Sequence, residues 1–127
     1  MNFLVDSSTI FDFFMGKTEL FHLFDETENL YVSVVTVAEL NYRARTAQTH
    51  KNAVQIADDF VHLLHIVNVD KDTALKYGEL KEKYPLLETN KLWLCATAVV
   101  RDFVIITEDK EIAEVNEVVV KKFMKGE

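Results

Sequence analysis

The sequence predicts an α/β fold, specifically a three-layer α/β/α sandwich with a central, mostly parallel sheet of about five strands. Short runs of apolar residues alternate with longer amphipathic stretches along the chain. The short runs are apolar throughout, which is typical of parallel strands covered by helices on both faces. With 127 residues, 49% of them apolar, the chain has the size and composition of one domain, expected over residues 1–127.

The five strands are predicted where apolar residues follow one another and β-branched residues are frequent. A parallel sheet needs a crossover between consecutive strands, and helical segments separate most of these runs. The predicted strands are 2–5, 30–34, 65–69, 103–106 and 118–120.

The helices are predicted from apolar residues at helical spacing and from the residues that end them. Gly16 is expected to end the first helix and Pro85 to stop a later one, because proline cannot donate a backbone hydrogen bond. The predicted helices cover 9–15, the residues after Thr18, 36–45, about 50–64, 72–84, 92–100 and 110–115.

Side chains with hydroxyl groups are predicted to cap three of these helices. Ser7 or Ser8 can cap the first helix, and Thr89 can cap the apolar helix near residue 92. Thr36 and Glu39 have the three-residue spacing of a capping box, in which each side chain bonds the other's backbone N–H.

Charge and cysteine content exclude several classes of protein. The 14 basic and 21 acidic residues give a net charge of −7, which argues against binding nucleic acid through a broad basic surface. Cys95 is the single cysteine, so an intramolecular disulfide is excluded. The sequence contains neither an apolar run of membrane-spanning length nor a signal peptide, so we expect a cytoplasmic protein with no membrane association.

Three carboxylates follow predicted strands and should meet at one edge of the sheet. Asp6 follows the first strand, Glu39 lies in the helix after the second, and Asp109 follows the fourth. Each has an alternative role in capping a helix. Because like charges repel unless a cation or a proton compensates them, their convergence indicates a site for Mg²⁺ or Mn²⁺.

Four ordered segments resemble PIN-domain proteins, and more narrowly the VapC-type toxins of toxin–antitoxin pairs. These segments are 4–8 (LVDSS), 33–40 (SVVTVAEL), 92–98 (LWLCATA) and 106–109 (ITED). The resemblance implies a ribonuclease that uses one or two Mg²⁺ or Mn²⁺ ions to activate water for attack on an RNA phosphodiester. The residues matching the family acids are Asp6, Glu39 and Asp109, and those matching polar positions for substrate or water are Ser8 and Thr107.

Lys91 departs from this family pattern. Family members usually have the pair Asn-Asp directly before the apolar helix; this chain has Asn90 followed by Lys91, which stands in the position of the aspartate. A lysine there can pair with Asp6 or Asp109 and compete with a divalent ion, so we expect attenuated activity. Two alternatives stay open: a shifted loop can bring Glu88 or Asn90 to the metal, or Lys91 can extend into solvent and leave the site one ligand short.

The resemblance also implies a cognate antitoxin and a homodimer as partners. Phe13, Phe14 and Met15 are consecutive, so one helical face cannot bury all three, and they form a candidate antitoxin or dimer surface. A second possibility is a PIN domain without catalytic activity that binds an antitoxin, itself or RNA. A third is a receiver-like signalling domain, which requires adjacent acids after the first strand, whereas Ser7 follows Asp6 here.

Overall fold

A computed structural model describes residues 1–14, 29–47 and 52–122, which form five strands and six helices. The strands are β1 (Phe3–Val5), β2 (Leu30–Ser33), β3 (His65–Val67), β4 (Val104–Ile106) and β5 (Val119–Lys121). The helices are α1 (Ser7–Phe14), α2 (Val34–Thr46), α3 (Ala53–Val61), α4 (Lys71–Lys83), α5 (Thr89–Arg101) and α6 (Lys110–Ala113).

All five strands pair in parallel, in the order β3-β2-β1-β4-β5. The predicted fold class is therefore confirmed. A receiver domain has the order 2-1-3-4-5, so this sheet excludes the receiver-like alternative. None of the helices in the described ranges is long and apolar enough to span a membrane.

Adjacent residues of a strand point to opposite faces of the sheet, and each face has its own core. Leu4 and Ile105 belong to the core beneath α4, α5 and α6, whereas Val5 and Ile106 belong to the core beneath α1, α2 and α3. All four of these side chains are at most 1% exposed. The two cores make the sheet the middle layer of the sandwich.

The predicted caps were wrong at each of the three helix starts. Ser33, the last residue of β2, caps α2 by accepting a hydrogen bond from Val35 N, so Thr36 lies inside the helix and Glu39 beyond its first turn. Glu88 caps α5 in place of Thr89. In each case the residue next to the strand or loop reaches the free N–H groups first, because helical backbone geometry begins earlier than the apolar pattern indicates.

The first helix is capped by Asp6, whose Oδ1 accepts a hydrogen bond of 2.8 Å from Thr9 N. Ser7 and Ser8 are already helical, so neither is the cap. The helix predicted over 50–64 is shorter, Ala53–Val61. The helix predicted after Thr18, the end predicted at Gly16 and the surface residue Met15 lie outside the described residues.

Asp70 caps α4, and its removal is expected to lower thermal stability. Its Oδ1 accepts hydrogen bonds from Thr73 N at 2.9 Å and Thr73 Oγ1 at 2.8 Å, and these bonds hold the pKa of the carboxyl below its ordinary 3.8. Because the pKa is lower in the folded than in the unfolded state, this stabilisation is present above pH 3.8 and is lost as the pH falls through the folded-state value.

Asp70→Ala is therefore expected to lower the Tm at neutral pH, with the difference from wild type disappearing in acid. Circular dichroism melts over this pH range measure the effect. Asp72→Ala is the matched control, because Asp72 lies in the first turn of the same helix but is not the cap. An equal loss of Tm in both variants would contradict a specific role for the cap.

Candidate functional site

The strand order reverses between β1 and β4, which places a crevice at their carboxyl ends. The connection after β1 leads to β2 on one side, whereas β4 pairs with β1 on the other. Ligands of open parallel sheets bind at such a reversal. Val5 is in register with Ile106, so the next residues of the two strands, Asp6 and Thr107, lie side by side.

A cavity of about 150 Å³ opens at this edge and is lined by the three predicted acids, Asp6, Glu39 and Asp109. Glu88 adds a fourth carboxylate, and Arg43 and Lys91 are the cationic residues in its lining. Residues distant in sequence thus meet here, as their positions after strands predict. The four carboxylates outnumber the two cations, so the cavity is acidic.

Asp6 is buried, with 6% of its surface exposed. Burial raises the pKa of its carboxyl, and the nearby charge of Asp109 acts in the same direction. Hydrogen bonds from Thr107 and Thr9 oppose this rise without cancelling it. Asp6 therefore has both roles considered for it: it caps α1, and it lines the cavity.

Thr107 connects two of the acids. Its buried hydroxyl donates to Asp6 Oδ2 and accepts a hydrogen bond of 3.0 Å from Asp109 N. Thr107 lies behind the acids rather than in the cavity lining, whereas Ser8 is exposed and lines the cavity. The assignment of Ser8 and Thr107 to substrate or water stays a prediction.

Removing this hydroxyl should destabilise the protein, because it leaves Asp6 Oδ2 and Asp109 N without their shared partner. Thr107→Val is expected to lower the free energy of unfolding by about 1–3 kcal/mol, as measured by urea denaturation. Thr107→Ser keeps the hydroxyl and is expected to recover most of the loss. Equal stability of the valine variant and the wild type would show that the bridge contributes nothing.

Lys91 pairs with Asp109 and also with Glu111. Its Nζ lies 2.8 Å from Asp109 Oδ2 and 2.6 Å from Glu111 Oε1. These two hydrogen bonds raise the pKa of Lys91 well above 10.5. Lys91 is thus held by two carboxylates, not freely solvated, and of the two predicted partners it contacts Asp109.

Burial acts to raise the pKa of Asp109, but the hydrogen bond from Lys91 and those from two backbone N–H groups outweigh it and lower the pKa. The N–H donors belong to Glu111 and Ile112, so Asp109 also caps α6. Asp6 and Asp109 thus have pKa values shifted in opposite directions. The ammonium of Lys91 keeps Asp109 charged, whereas burial favours the neutral form of Asp6.

Glu39 is held by Asn90 from α5, whose Nδ2 donates to Glu39 Oε2 at 3.0 Å. Asn90 N donates in turn to Glu88 Oε2 at 3.1 Å. Both residues considered as replacement metal ligands line the cavity. There Glu88 caps the start of α5 through Asn90 N, and the side chain of Asn90 positions Glu39.

Glu111 is the residue that sequence reasoning missed. Asp109 caps α6, so Glu111, two positions later, lies in the first turn of that helix. The order Asp-Lys-Glu in the sequence could therefore have indicated that Glu111 lies near Asp109.

Phe13 and Phe14 are half-buried, and each ring lies 5.3 Å from that of Phe60. Their use as an antitoxin or dimer surface stays a prediction.

Carboxylate oxygens have the right chemistry for Mg²⁺ or Mn²⁺, but their arrangement with Lys91 does not form a complete metal centre. Asp109 Oδ2 already pairs with Lys91 Nζ, and Glu39 Oε2 already accepts a hydrogen bond from Asn90 Nδ2. Within residues 1–14, 29–47 and 52–122, no three His, Cys, Asp or Glu side chains are grouped closely enough to hold an ion. In this arrangement Lys91 pairs with a carboxylate oxygen that a divalent ion at this cavity would need.

Comparison with known families gives an independent assignment. The model of the PIN domain family matches residues 3–118, which is nearly the whole chain. The chain belongs to the PIN-domain family. The resemblance to PIN-domain proteins seen in the sequence is thereby confirmed.

Proteins similar to this PIN domain include a VapC ribonuclease, by sequence, and chains of VapBC complexes, by fold. Ribonuclease VapC1 of Methanocaldococcus jannaschii is 28% identical over 112 residues, which cover 85% of this chain and 76% of that protein. A chain of the DNA-bound VapBC structure from Salmonella typhimurium has a TM-score of 0.88 at 19% identity, covering 98% of this chain and 99% of its own. A chain of VapBC2 from Rickettsia felis, bound to a promoter DNA fragment, has a TM-score of 0.85 at 16% identity. This match covers 98% of the present chain and 100% of the VapBC2 chain.

Proposed function

We propose that this PIN domain is a VapC-like endoribonuclease that hydrolyses RNA phosphodiesters with a divalent ion and that Lys91 attenuates its activity. The observation that supports this function best is the meeting of Asp6, Glu39 and Asp109 at one cavity in a PIN-family chain. A relative of the chain is named a ribonuclease, which supports RNA as the proposed substrate class. Mg²⁺ or Mn²⁺, as one or two ions, would supply an activated water and charge for the phosphate.

The protein's own groups divide the remaining roles. Asp6 is fixed by Thr9 and Thr107, so its carboxylate is oriented before any ligand binds. Asn90 orients Glu39 in the same way from another element. Ser8 is exposed at the cavity and can donate a hydrogen bond to a phosphate oxygen or a water.

The position of Lys91 supports the proposed attenuation. Its ammonium lies at hydrogen-bond distance from Asp109 and supplies positive charge where a divalent ion would bind. The raised pKa of Lys91 means that it stays protonated at any ordinary working pH, so raising the pH toward 9 or 10 is not expected to relieve the competition.

Cleavage of a fluorophore-quencher RNA of mixed sequence tests this function. We expect slow cleavage in Mn²⁺ or Mg²⁺ and none in EDTA. Persistent cleavage in EDTA would refute metal dependence, and absence of cleavage in both the wild type and a variant freed of Lys91 would refute the ribonuclease function.

A second candidate is a PIN domain that binds without cleaving, and the pairing of Lys91 with both Asp109 and Glu111 favours it. In this case a fixed lysine replaces the ion permanently and the ligand is an antitoxin, a second copy of the chain or RNA. Isothermal titration with Mn²⁺ separates the two functions, because only the enzyme is expected to bind the ion.

We also propose that the protein is a single cytoplasmic domain over residues 1–127 that forms a homodimer and binds a cognate antitoxin. Support for the antitoxin comes from the VapBC structures whose fold it shares. The proposed contact surface includes Phe13 and Phe14. Light scattering after size-exclusion chromatography tests the dimer, which should have twice the chain mass of 14.7 kDa.

A further inference from the structure

Arg43 is placed at the cavity by the same helix face as Glu39. Thr36, Glu39 and Arg43 follow one another at intervals of three and four residues along α2, and all three line the cavity. Residues at this spacing lie on one side of a helix. Arg43 belongs to the last turn of α2, so it lies at the outer edge of the cavity wall that this helix forms.

The guanidinium of Arg43 rests on an aromatic ring. Its Cζ lies 4.9 Å from the centroid of Phe11 in α1. A cation over a ring face is attracted to it, and this contact leaves the N–H groups at the edge of the guanidinium available. The side chain is exposed, so an incoming ligand can reach it.

The other cation that lines the cavity, Lys91, and the other cation in the last turn of α2, Arg45, already have polar partners. Lys91 is paired with Asp109 and Glu111, and Arg45 donates to Asn41 Oδ1 at 2.8 Å. Arg43 forms no ion pair or side-chain hydrogen bond with any residue in the described part of the chain. Of the two cations that line the cavity, Arg43 is therefore the one whose charge is not paired with a carboxylate of residues 1–14, 29–47 or 52–122.

An RNA strand that approaches this cavity meets four carboxylates, so its phosphates are repelled unless a positive charge compensates. The planar fork of an arginine binds a phosphate through two parallel hydrogen bonds. We propose that Arg43, supported by Phe11, binds a backbone phosphate of the RNA beside the one presented to the acids. This inference rests on the proposed function for its substrate class.

Binding of a fluorescein-labelled single-stranded RNA, measured by anisotropy in EDTA, tests the role without any cleavage. Arg43→Gln is expected to weaken binding about tenfold. The fall of the log binding constant with the log salt concentration should also become less steep by about 0.7, the value for the loss of one phosphate contact with single-stranded nucleic acid. Arg45→Gln is the matched control on the same helix and should change neither value.

In Mn²⁺, Arg43→Gln is expected to raise KM about as much as it weakens binding and to leave kcat within about twofold, because the contact is made equally in the ground and transition states. Arg43→Lys keeps the charge but lacks the planar fork of the guanidinium. Its RNA affinity and its KM should therefore lie between those of Arg43→Gln and the wild type. It also serves as the second variant if Arg43→Gln does not fold.

Equal RNA binding by Arg43→Gln and Arg45→Gln would overturn the inference, as would no measurable RNA binding by the wild type. RNA binding that depends on Arg43 in a protein that never cleaves would instead refute the proposed function and leave this inference standing. The two failures are therefore distinguishable.

Discussion

Lys91→Asp is expected to raise Mn²⁺-dependent RNA cleavage about 10- to 100-fold, the range by which changes around a metal site alter affinity and activity. The substitution removes the ammonium that lies 2.8 Å from Asp109 Oδ2 and adds a carboxylate at the start of α5. Both changes favour a divalent ion over an internal cation. Initial rates with the quenched RNA at saturating Mn²⁺ measure the gain.

The same variant has a readout that does not depend on cleavage. Without metal, the introduced carboxylate repels Asp109 and Glu111, so the variant should melt below the wild type. Adding Mn²⁺ should raise its Tm by more than that of the wild type, because an ion that binds only the folded state stabilises it.

Two further variants separate charge removal from ligand addition. Lys91→Met frees Asp109 without supplying a ligand and is expected to give a smaller gain. Lys71→Asp makes the same charge change at an exposed residue of α4 outside the cavity and should give none. An unchanged rate and an unchanged Mn²⁺ dependence of Tm in Lys91→Asp would refute the attenuation hypothesis.

Asp6→Asn is expected to lower cleavage by about 100-fold or more, measured in the Lys91→Asp background where the rate is highest. Asparagine has the same shape: its carbonyl oxygen can accept the hydrogen bond from Thr9 N, and its amide Nδ2 can donate to Thr107 Oγ1. It has no negative charge with which to hold a cation at the cavity. Loss of activity should therefore occur without loss of the fold.

Stability gives the control for this second variant. Burial raises the pKa of Asp6 above 3.8, so the stabilisation that comes from its favoured neutral form is present below pH 3.8 and is lost as the pH rises through the folded-state pKa. Burial disfavours the charged form of this carboxyl, a cost that asparagine does not have. We expect Asp6→Asn to melt no lower than the wild type at pH 7; full activity in this variant would remove Asp6 from the site.

The strands were predictable because they are short, mainly apolar runs, and the helical segments between them make the sheet parallel, so that the carboxyl ends of the strands lie at one edge. Asp6 and Asp109 could be assigned to one edge for that reason. The start of α2 was not predictable from Thr36 and Glu39, because Ser33 ends β2 and caps the helix without an intervening loop. Residues three positions apart, such as Thr36 and Glu39, also lie on one face of a helix, so their spacing fits a capping box and a helix interior equally well.

The partners of the acids were harder to predict. Nothing local to Lys91 indicates that it reaches Glu111, which lies 20 positions later in sequence. The hydrogen bond from Asn90 to Glu39 spans 51 positions. Such contacts depend on how α2, α5 and α6 approach one another, and sequence periodicity carries no information about that approach.

The pairing of β1 with β4 has a consequence for when the site can exist. The hydrogen bond between Thr107 and Asp6 joins residues 101 positions apart, one near each end of the described chain. Closing so long a loop is entropically costly, so it follows the formation of local helices. A chain still emerging from the ribosome therefore lacks Asp109 beside Asp6 until β4 is complete, and a fragment truncated before β4 never acquires the site.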